Sequence, residues 1–262
     1  MLVLSLFPGI GLLDMAFEKE GFCVVRGPDC LWGGDIRRFH PPAGKFGGVI
    51  GGPPCQAFSA LAHLVRANGH EPRFGNLIPE FERCVLEAAP DWFLMENVRA
   101  APEPVCDGYG TKSFLLDNSA LAGEGGFGLE QRRVRRFTFG LRGRPAPNLC
   151  RWIDLAVFLL PDVHTAVTAG HDDANVSLTQ ARRGGGTLTP GVQLKREGQR
   201  ERGPNNSRLH RLAEAISLQG LPADFLKDAP FTAEGKLKAV ANGVPIPMGR
   251  AVARAIGSLG SQ

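Results

Sequence analysis

The stretch Gly51-Gly52-Pro53-Pro54-Cys55 presents one thiol on a stiff corner. The prolines fix φ and remove two N–H donors, and the glycines let other groups approach the backbone closely. The apolar pair Val49-Ile50 precedes the corner and predicts a buried strand. Because open α/β sheets carry their sites at the carboxyl ends of strands, Cys55 is suited to act as a nucleophile. Considered alone, the stretch fits an ordinary buried cysteine after a proline-rich turn equally well.

A carboxylate is predicted at the same edge of the sheet. The apolar run Trp92–Met95 is typical of a buried strand, and it leads directly into Glu96-Asn97-Val98. A carboxylate at the end of a core strand is costly to bury unless it has a partner or a chemical task. Glu96 is therefore a candidate for the site that holds Cys55.

A cationic strand follows further along the chain. The run Gln131–Arg136 enters a strand at Phe137-Thr138-Phe139. Alternation along a strand places Gln131, Arg133 and Arg135 on one face. That face can belong to a site, or it can be a basic surface that meets nucleic acid or solvent.

The N-terminal segment has the pattern of a strand–turn–helix–strand unit. We predict a buried strand at Leu2–Phe7, a tight turn at Pro8–Gly11, a helix at Leu12–Glu20 and a second strand at Phe22–Val25. Such a unit holds its ligand at the N-terminus of the helix. Asp29 follows the glycine turn by roughly 20 positions, where an acidic residue can accept hydrogen bonds from ribose hydroxyls.

The segments between these motifs are less specific. Gly34-Asp35-Ile36 is suited to contact the edge and face of an adenine, although a simple turn fits it as well. Ala57–Gly75 has no clear helical stop before its Asn-Gly pair and is predicted to be a mobile flap. Leu77–Ala88 has apolar residues at helical spacing and is predicted to be a helix.

Composition sets the broad class of the protein. With 262 residues, 43% of them hydrophobic and 21% charged, the chain can form one large soluble domain or two unequal ones. No apolar stretch approaches the length of a membrane span, so a cytoplasmic protein without a membrane partner is expected. The six cysteines are scattered without a Cys-x-x-Cys pair, which favours reduced thiols over disulfides or a metal site.

The positive charge is concentrated in one segment. Residues 142–211 contain eleven Lys and Arg against six Asp and Glu, while the rest of the chain has 19 against 20. This surplus favours a polyanionic partner, although a solvated charged surface explains many such segments.

After Gly143 the sequence becomes richer in proline and polar residues. Prolines at 145 and 147 indicate a linker, and the polar segment 162–203 predicts hairpins and loops. Helices are predicted at Arg208–Gly220 and Met248–Ile256.

Taken in order, these motifs resemble those of the cytosine-5 DNA methyltransferases. The resemblance rests on six motifs: Phe7-x-Gly9-x-Gly11, Pro54-Cys55-Gln56, Glu96-Asn97-Val98, Gln131-x-Arg133-x-Arg135, Leu218-Gln219-Gly220-Leu221-Pro222 and Asn242-Gly243-Val244-Pro245. The short loops and the compact basic insert look most like phage or prophage members. The resemblance covers nearly the whole chain except about sixty residues after Gly143.

The resemblance implies a Rossmann-like, S-adenosylmethionine-dependent α/β fold with a small target-recognition domain made mostly of β-structure and loops. Residues 1–142 and 236–262 would form the catalytic domain. Residues 143–235 would form the recognition domain, with a hinge helix at 208–220.

The resemblance also implies a covalent mechanism at C5 of a flipped-out cytosine. Cys55 would add to C6, and the carboxyl group of Glu96 would contact N3 and the 4-amino group. Arg135, with Arg133 beside it, would bind O2 and nearby phosphate. The base that removes the C5 proton is not identified.

Binding residues are implied in the same way. The pocket for S-adenosylmethionine, with S-adenosylhomocysteine as product, would contain Phe7, Gly9, Gly11, Asp29, Asp35 and Ile36, and Leu77 and Asn242 would close it. Double-stranded DNA would be contacted by Gln56, Ser59, Gln131, Lys195, Arg196, Arg200 and Arg202. A monomer without metal is expected in the cytoplasm of a bacterial or phage-infected cell, and a partner restriction enzyme is left open.

Some positions depart from the family pattern, and three other functions compete with this interpretation. The departures are Ser5 for Asp, Leu12 for Gly, Glu130 for Pro, Arg211 for Thr and Ala241 for Gly. The tRNA-modifying branch of the fold usually has a Cys-Phe-Thr signature, which this sequence lacks. A non-catalytic DNA-binding relative is the alternative of another class, and a nicotinamide oxidoreductase would leave Pro-Cys-Gln unexplained.

Overall fold

The computed structural model describes residues 1–58, 69, 74–118, 133–151, 153 and 208–259. The strands in these ranges are β1 (Leu2–Leu6), β2 (Cys23–Arg26), β3 (Gly48–Gly51), β4 (Trp92–Asn97), β5 (Tyr109–Asp117) and β6 (Val134–Arg142). The α-helices are α1 (Leu12–Lys19), α2 (Ile78–Ala88), α3 (Arg208–Leu218), α4 (Ala233–Asn242) and α5 (Ile246–Leu259). None of these described helices is long and apolar enough to cross a membrane.

The six strands form one mixed sheet in the order β2-β1-β3-β4-β6-β5. β1 pairs in parallel with β2 and β3, and β3 pairs in parallel with β4. β6 runs antiparallel to β4. Because parallel strands end at the same edge, the glycine turn after β1, the thiol corner after β3 and the end of β4 share one edge of the sheet. The predicted Rossmann-like α/β fold class is confirmed.

Aromatic side chains fix helices on both faces of the sheet. Trp92 and Phe93 are consecutive on β4, so their side chains point to opposite faces. The Trp92 ring stacks on Phe17 of α1 with 6.3 Å between ring centroids. The Phe93 ring meets Phe81 of α2 edge-on at 5.9 Å. A Cβ at Gly48 on β3 would collide with the Trp92 ring, which explains the glycine there.

The chain divides into two compact units. Unit 1 comprises Met1–Leu116, Val134–Ile153 and Ala253–Gln262, and unit 2 comprises Asp117–Arg133 and Asp154–Val252. In the described part of unit 2, α3 and α4 contact each other. The predicted domain boundaries after residues 142 and 235 stay a prediction, and the hairpins and loops predicted at 162–203 lie outside the described residues.

Two elements differ from the sequence-based expectation. The apolar run Phe114-Leu115-Leu116 alone predicts a short strand, and β5 is longer, running from Tyr109 to Asp117. α4 was not predicted at all. Its first turn is capped by Thr232, whose Oγ1 accepts a hydrogen bond from the Gly235 N–H at 3.1 Å. A Ser or Thr hydroxyl at this position satisfies one of the helix's unpaired N–H groups.

Candidate active site

The thiol corner is held in place by the strand next to it. Cys55 opens a short 3₁₀ turn, Cys55–Ala57, directly after β3 and the two prolines, and its side chain is half-buried. Asn97, at the end of β4, donates a hydrogen bond from Nδ2 to the Pro53 carbonyl at 3.1 Å. The Asn97 Oδ1 accepts a hydrogen bond from the Val98 N–H at 2.8 Å. Both hydrogen bonds of this buried amide therefore hold the corner and the turn after β4 together.

Glu96 lies beside this corner and is paired with Arg135. The Arg135 Nε is 2.9 Å from the Glu96 Oε1, and the two residues are only 6% and 9% exposed. They lie on the antiparallel neighbours β6 and β4. A Cβ at Gly52 would lie 3.2 Å from the Glu96 Oε2, so the glycine leaves the carboxylate room beside the corner. The structure thus brings Cys55, Glu96 and Arg135 to one edge of the sheet, and their roles in a site stay a prediction.

Arg133 has a different set of contacts. Arg133 is only 1% exposed, and its Nη2 donates to the carbonyls of Ala241 at 3.0 Å and Gly243 at 2.8 Å. Those carbonyls lie at the C-terminus of α4, where backbone oxygens lack partners within the helix. In unit 2, Arg133 therefore caps the end of α4. A role of Arg133 beside Arg135 in binding the substrate stays a prediction.

The glycine turn after β1 is braced by the predicted acid. The Asp29 Oδ2 accepts a hydrogen bond from the Gly9 N–H at 2.9 Å, and its Oδ1 accepts one from the Leu31 N–H at 2.7 Å. Phe7, Gly9 and Gly11 all have positive φ, at 56°, 56° and 81°. A non-glycine residue such as Phe7 rarely adopts this conformation, and such outliers concentrate at ligand sites.

An aromatic residue beside the turn escaped the sequence analysis. The Trp32 Nε1 donates to the Gly9 carbonyl at 2.7 Å, and the residue is 59% exposed. Its indole is therefore anchored at one edge while much of its surface is open to solvent. The available signal was an aromatic residue three positions after Asp29, within the same short segment.

Apolar residues of the predicted cofactor pocket meet in one cluster. Ile36 and Leu77 are buried together in the core that covers the α2 face of the sheet, and Phe7 packs against that core. Asp35 caps the 3₁₀ turn that starts at Ile36, where its Oδ1 accepts a hydrogen bond from the Arg37 N–H at 3.1 Å.

Arg83 of α2 holds the 3₁₀ turn at Ile36 through hydrogen bonds to its backbone. The sequence analysis did not single out this arginine. Its Nη2 donates to the Ile36 carbonyl at 2.8 Å and its Nη1 to the Phe39 carbonyl at 3.0 Å. On its own helix it also pairs with Glu80 at 2.9 Å and Glu87 at 2.8 Å. These acids hold the guanidinium in position, so α2 orients the turn that carries Asp35.

For the other predicted site residues, the structure gives few contacts or does not describe the residue. Asn242 is the last residue of α4 and is exposed. Gln56 follows Cys55, and its Oε1 accepts a hydrogen bond from the Phe74 N–H at 3.4 Å. Ser59, Gln131, Lys195, Arg196, Arg200 and Arg202 lie outside the described residues, as does most of the predicted flap.

Three described cysteines are poorly suited to nucleophilic chemistry. Burial raises the pKa of Cys84 to about 11 and that of Cys106 to about 12, so both remain protonated near neutral pH. Burial also raises the pKa of Cys150. The thiolate is the reactive form, so these residues behave as small hydrophobic side chains. Among the described residues, no group of three or more His, Cys, Asp or Glu side chains could hold a metal ion.

A second buried carboxylate lies beneath the glycine turn. Asp14, in the first turn of α1, is fully buried and accepts a hydrogen bond from the Ser5 hydroxyl. It also pairs with Arg26, whose Nε lies 2.9 Å from the Asp14 Oδ2. Burial raises the pKa of Asp14, and the hydrogen bonds from Ser5 and Arg26 oppose that rise. Ser5, one of the departures from the family pattern, thus serves as a partner for Asp14.

One family model matches part of the chain. The model of C-5 cytosine-specific DNA methylases matches residues 31–104, the segment that contains Asp35, Cys55 and Glu96. Residues 31–104 are therefore similar in sequence to this methylase family.

Individual methylases show the same relationship over longer segments. The chain is 36% identical to the type II methyltransferase M.FnuDI of Fusobacterium nucleatum over 115 residues, which cover 38% of this chain and 33% of the relative. It is 29% identical to M.NgoPII of Neisseria gonorrhoeae over 171 residues, covering 54% of this chain and 48% of the relative. It is 25% identical to the orphan methyltransferase M.SPRI of Bacillus phage SPR over 168 residues, covering 53% and 37%. The chain thus spans a third to a half of the length of these methylases.

Solved structures show the same fold at low sequence identity. A protein encoded within an E. coli prophage and described as a DNA modification methyltransferase aligns over 100% of both chains, with a TM-score of 0.62 and 15% identity. Spodoptera frugiperda DNMT2 aligns over 98% of this chain and 99% of its own, with a TM-score of 0.55 and 14% identity.

Proposed function

We propose that the protein transfers a methyl group from S-adenosylmethionine to C5 of a cytosine in double-stranded DNA. The observation that carries this proposal is the grouping of Cys55, Glu96 and Arg135 at one sheet edge, with Cys55 and Glu96 inside the segment that matches the methylase model. A nucleophile, a carboxyl group and a fixed guanidinium are the three groups that this reaction needs.

Cys55 acts as the nucleophile. Cytosine C5 attacks an electrophile poorly until a group adds to the neighbouring C6. In the proposed reaction the Cys55 sulfur forms a bond to C6, and the electrons of the C5–C6 double bond shift toward N3. C5 would then form a bond to the activated methyl group as the bond between that methyl group and the sulfonium sulfur breaks, which leaves S-adenosylhomocysteine. A base removes the C5 proton, the C5–C6 double bond forms again, and the C6–S bond breaks to release the thiolate.

Glu96 and Arg135 stabilise the charge that develops during this addition. The carboxyl group of Glu96 contacts N3 and the 4-amino group of the cytosine, and Arg135 contacts O2. The short Glu96–Arg135 ion pair supports this assignment, because each group fixes the orientation of the other before substrate enters. Groups fixed in advance stabilise a developing charge without reorganising during the reaction.

The residues around the glycine turn fit the cofactor, which supplies an activated methyl group when bound. Asp29, held by the Gly9 and Leu31 amides, keeps lone pairs that can accept hydrogen bonds from the ribose hydroxyls. The cluster of Phe7, Ile36 and Leu77 supplies apolar surface for the adenine. The product, S-adenosylhomocysteine, would dissociate from the same residues.

DNA is the proposed substrate because the family of residues 31–104 acts on it and because residues 142–211 carry the surplus of positive charge. The target base is not reachable inside a duplex and must be flipped out of the helix to meet Cys55.

Methylation mapping tests this function directly. The wild-type protein and the Cys55→Ser variant are expressed in a bacterium without its own cytosine methylation, and 5-methylcytosine is mapped at base resolution. We expect methylated cytosines with the wild type and none with Cys55→Ser, although Cys55→Ser still binds S-adenosylhomocysteine. Cys23→Ser, at an exposed thiol, is the matched control and should methylate normally.

Two outcomes would contradict the proposal. Methylation by Cys55→Ser at the wild-type rate would rule out the covalent mechanism. Absence of methylation by the wild type, with cofactor binding intact, would favour an RNA substrate or a DNA-binding protein without activity.

A further inference from the structure

The glycine turn carries an acid at one end and a cation at the other. The acid is Asp29, bound to the Gly9 N–H. The cation is Arg26, the last residue of β2, whose guanidinium lies against Gly11. The Arg26 Nη2 is 2.6 Å, and its Cζ 2.9 Å, from the position that a Cβ on Gly11 would occupy. Glycine at position 11 thus permits both the positive φ and the close approach of this guanidinium.

Arg26 is fixed by a buried carboxylate at its Nε and is exposed to solvent at the rest of its guanidinium. Its Nε donates to the Asp14 Oδ2 at 2.9 Å, and Asp14 is fully buried in α1. The Arg26 side chain is 52% exposed. Among the described residues, no protein acceptor lies at its Nη1 and Nη2 groups. An arginine has five N–H donors, so the four on Nη1 and Nη2 remain available to a ligand.

The alternative is that Arg26 only neutralises Asp14. That role uses the Nε contact, but it does not account for the close approach of the Arg26 Nη2 and Cζ to Gly11. A planar guanidinium fixed at Nε presents its terminal N–H groups in the fork that matches a carboxylate. The arrangement therefore fits an anionic group of a ligand that lies along the turn.

We propose that Arg26 binds the carboxylate at the methionyl end of S-adenosylmethionine and S-adenosylhomocysteine. The inference rests on the proposed function, which brings this cofactor to the glycine turn. The ribose hydroxyls then lie at Asp29 and the carboxylate at Arg26, so the order of charges along the turn sets the direction of the ligand. Arg26 makes the site selective for ligands that carry this carboxylate.

A cycle of ligands and variants tests this role. Calorimetry measures the Kd of S-adenosylhomocysteine and of its analogue without the carboxylate, for the wild type and for Arg26→Gln. We expect removal of the carboxylate to weaken binding to the wild type by about tenfold, as for a charge-assisted hydrogen bond at a half-exposed site. Arg26→Gln should lose about the same factor for S-adenosylhomocysteine and bind the two ligands equally.

The matched control lies at the other end of α1. Arg254 pairs through its Nε with Glu20 at 3.0 Å, and its side chain is 51% exposed, so it resembles Arg26 in exposure and pairing. Arg254→Gln should discriminate between the two ligands as the wild type does. If Arg26→Gln does not fold, Arg26→Lys keeps the charge beside Asp14 and loses the planar fork, and it should show reduced discrimination.

The outcomes separate the two claims. If Arg26→Gln weakens binding of both ligands by the same factor, Arg26 acts only through Asp14 and the inference is overturned. If the wild type and Arg254→Gln both fail to bind S-adenosylhomocysteine, the proposed function fails and the inference falls with it.

Discussion

The ion pair between Glu96 and Arg135 combines a chemical role with a structural one. Both side chains are almost fully buried, so each depends on the other to offset its lost hydration. Removing one member of a buried pair costs about 3–5 kcal/mol, because the remaining charge has no partner. A loss of activity on mutating Glu96 alone would therefore mix a catalytic effect with instability.

We predict that Glu96→Gln lowers the methylation rate far more than it lowers DNA affinity. The amide keeps the shape of the side chain but loses the charge that pairs with Arg135. Single-turnover methylation and equilibrium DNA binding measure the two effects separately. A change confined to DNA affinity would argue for a structural role instead.

A double variant separates stability from chemistry. Glu96→Gln combined with Arg135→Met removes both members of the pair and should regain much of the unfolding free energy lost by Glu96→Gln. The methylation rate should stay at least as low as that of Glu96→Gln. If methylation returned with stability, neither residue would take part in the reaction.

Single residues show what a sequence pattern can and cannot locate. Strand ends and turn chemistry predict Cys55 and Glu96 at one edge of the sheet, whereas only the family resemblance adds Arg135 to them. Alternation also put Arg133 and Arg135 on the same strand face, but it carries no information about hydrogen-bond partners. The Arg133 guanidinium contacts the C-terminus of α4, more than one hundred positions later in the chain.

At the scale of elements, the two C-terminal motifs of the resemblance meet through one side chain. Gln219 follows α3 and is fully buried. Its Nε2 donates to the Val240 carbonyl at 2.6 Å and to the Gly243 carbonyl at 3.0 Å. Its backbone carbonyl accepts a hydrogen bond from the Ile246 N–H at 3.0 Å. Gln219 and Arg133 thus share the task of satisfying the carbonyls at the end of α4.

We predict that Gln219→Met lowers the free energy of unfolding by about 1–3 kcal/mol, because two buried carbonyls lose a donor. Denaturant unfolding measures this change, and Ser217→Ala at an exposed position of α3 is the control. An unchanged stability would show that water replaces the amide at these carbonyls.

The elements themselves were predictable in proportion to the strength of their periodicity. β1, β4, α1 and α2 have strong apolar patterns and clear stops, and their bounds agree with expectation within two residues. α4 was missed because Gly235 interrupts its first turn and no left-handed glycine ends it; Gly243 has φ −75°. Its start depends on a threonine cap, which is a weak signal without an apolar stripe.

At the scale of the whole molecule, charge is the property that the sequence gives most directly. The basic surplus of residues 142–211 is independent of how that segment folds. Whether these charges bind DNA does depend on how the segment folds, because phosphate contacts require the charges to lie on one surface.

We predict that replacing Arg200 and Arg202 by Gln weakens DNA binding and reduces its salt dependence. Each lost phosphate contact lowers the slope of log K against log salt by about 0.9. Titrations at several salt concentrations measure the slope, and Lys45→Gln with Lys112→Gln, both at exposed positions of unit 1, controls for net charge. An unchanged slope would place the two arginines on a solvent-facing surface.

The indole of Trp32 gives this molecule an intrinsic optical signal. The chain contains three tryptophans, and Trp92 is packed in the core at 5% exposure, whereas Trp32 stands 59% exposed against the Gly9 carbonyl. A nucleoside that binds at the glycine turn would change the polarity around the Trp32 indole and quench its fluorescence. Ligand arrival at the turn can therefore be followed in real time without a dye, and separately from any event at Cys55.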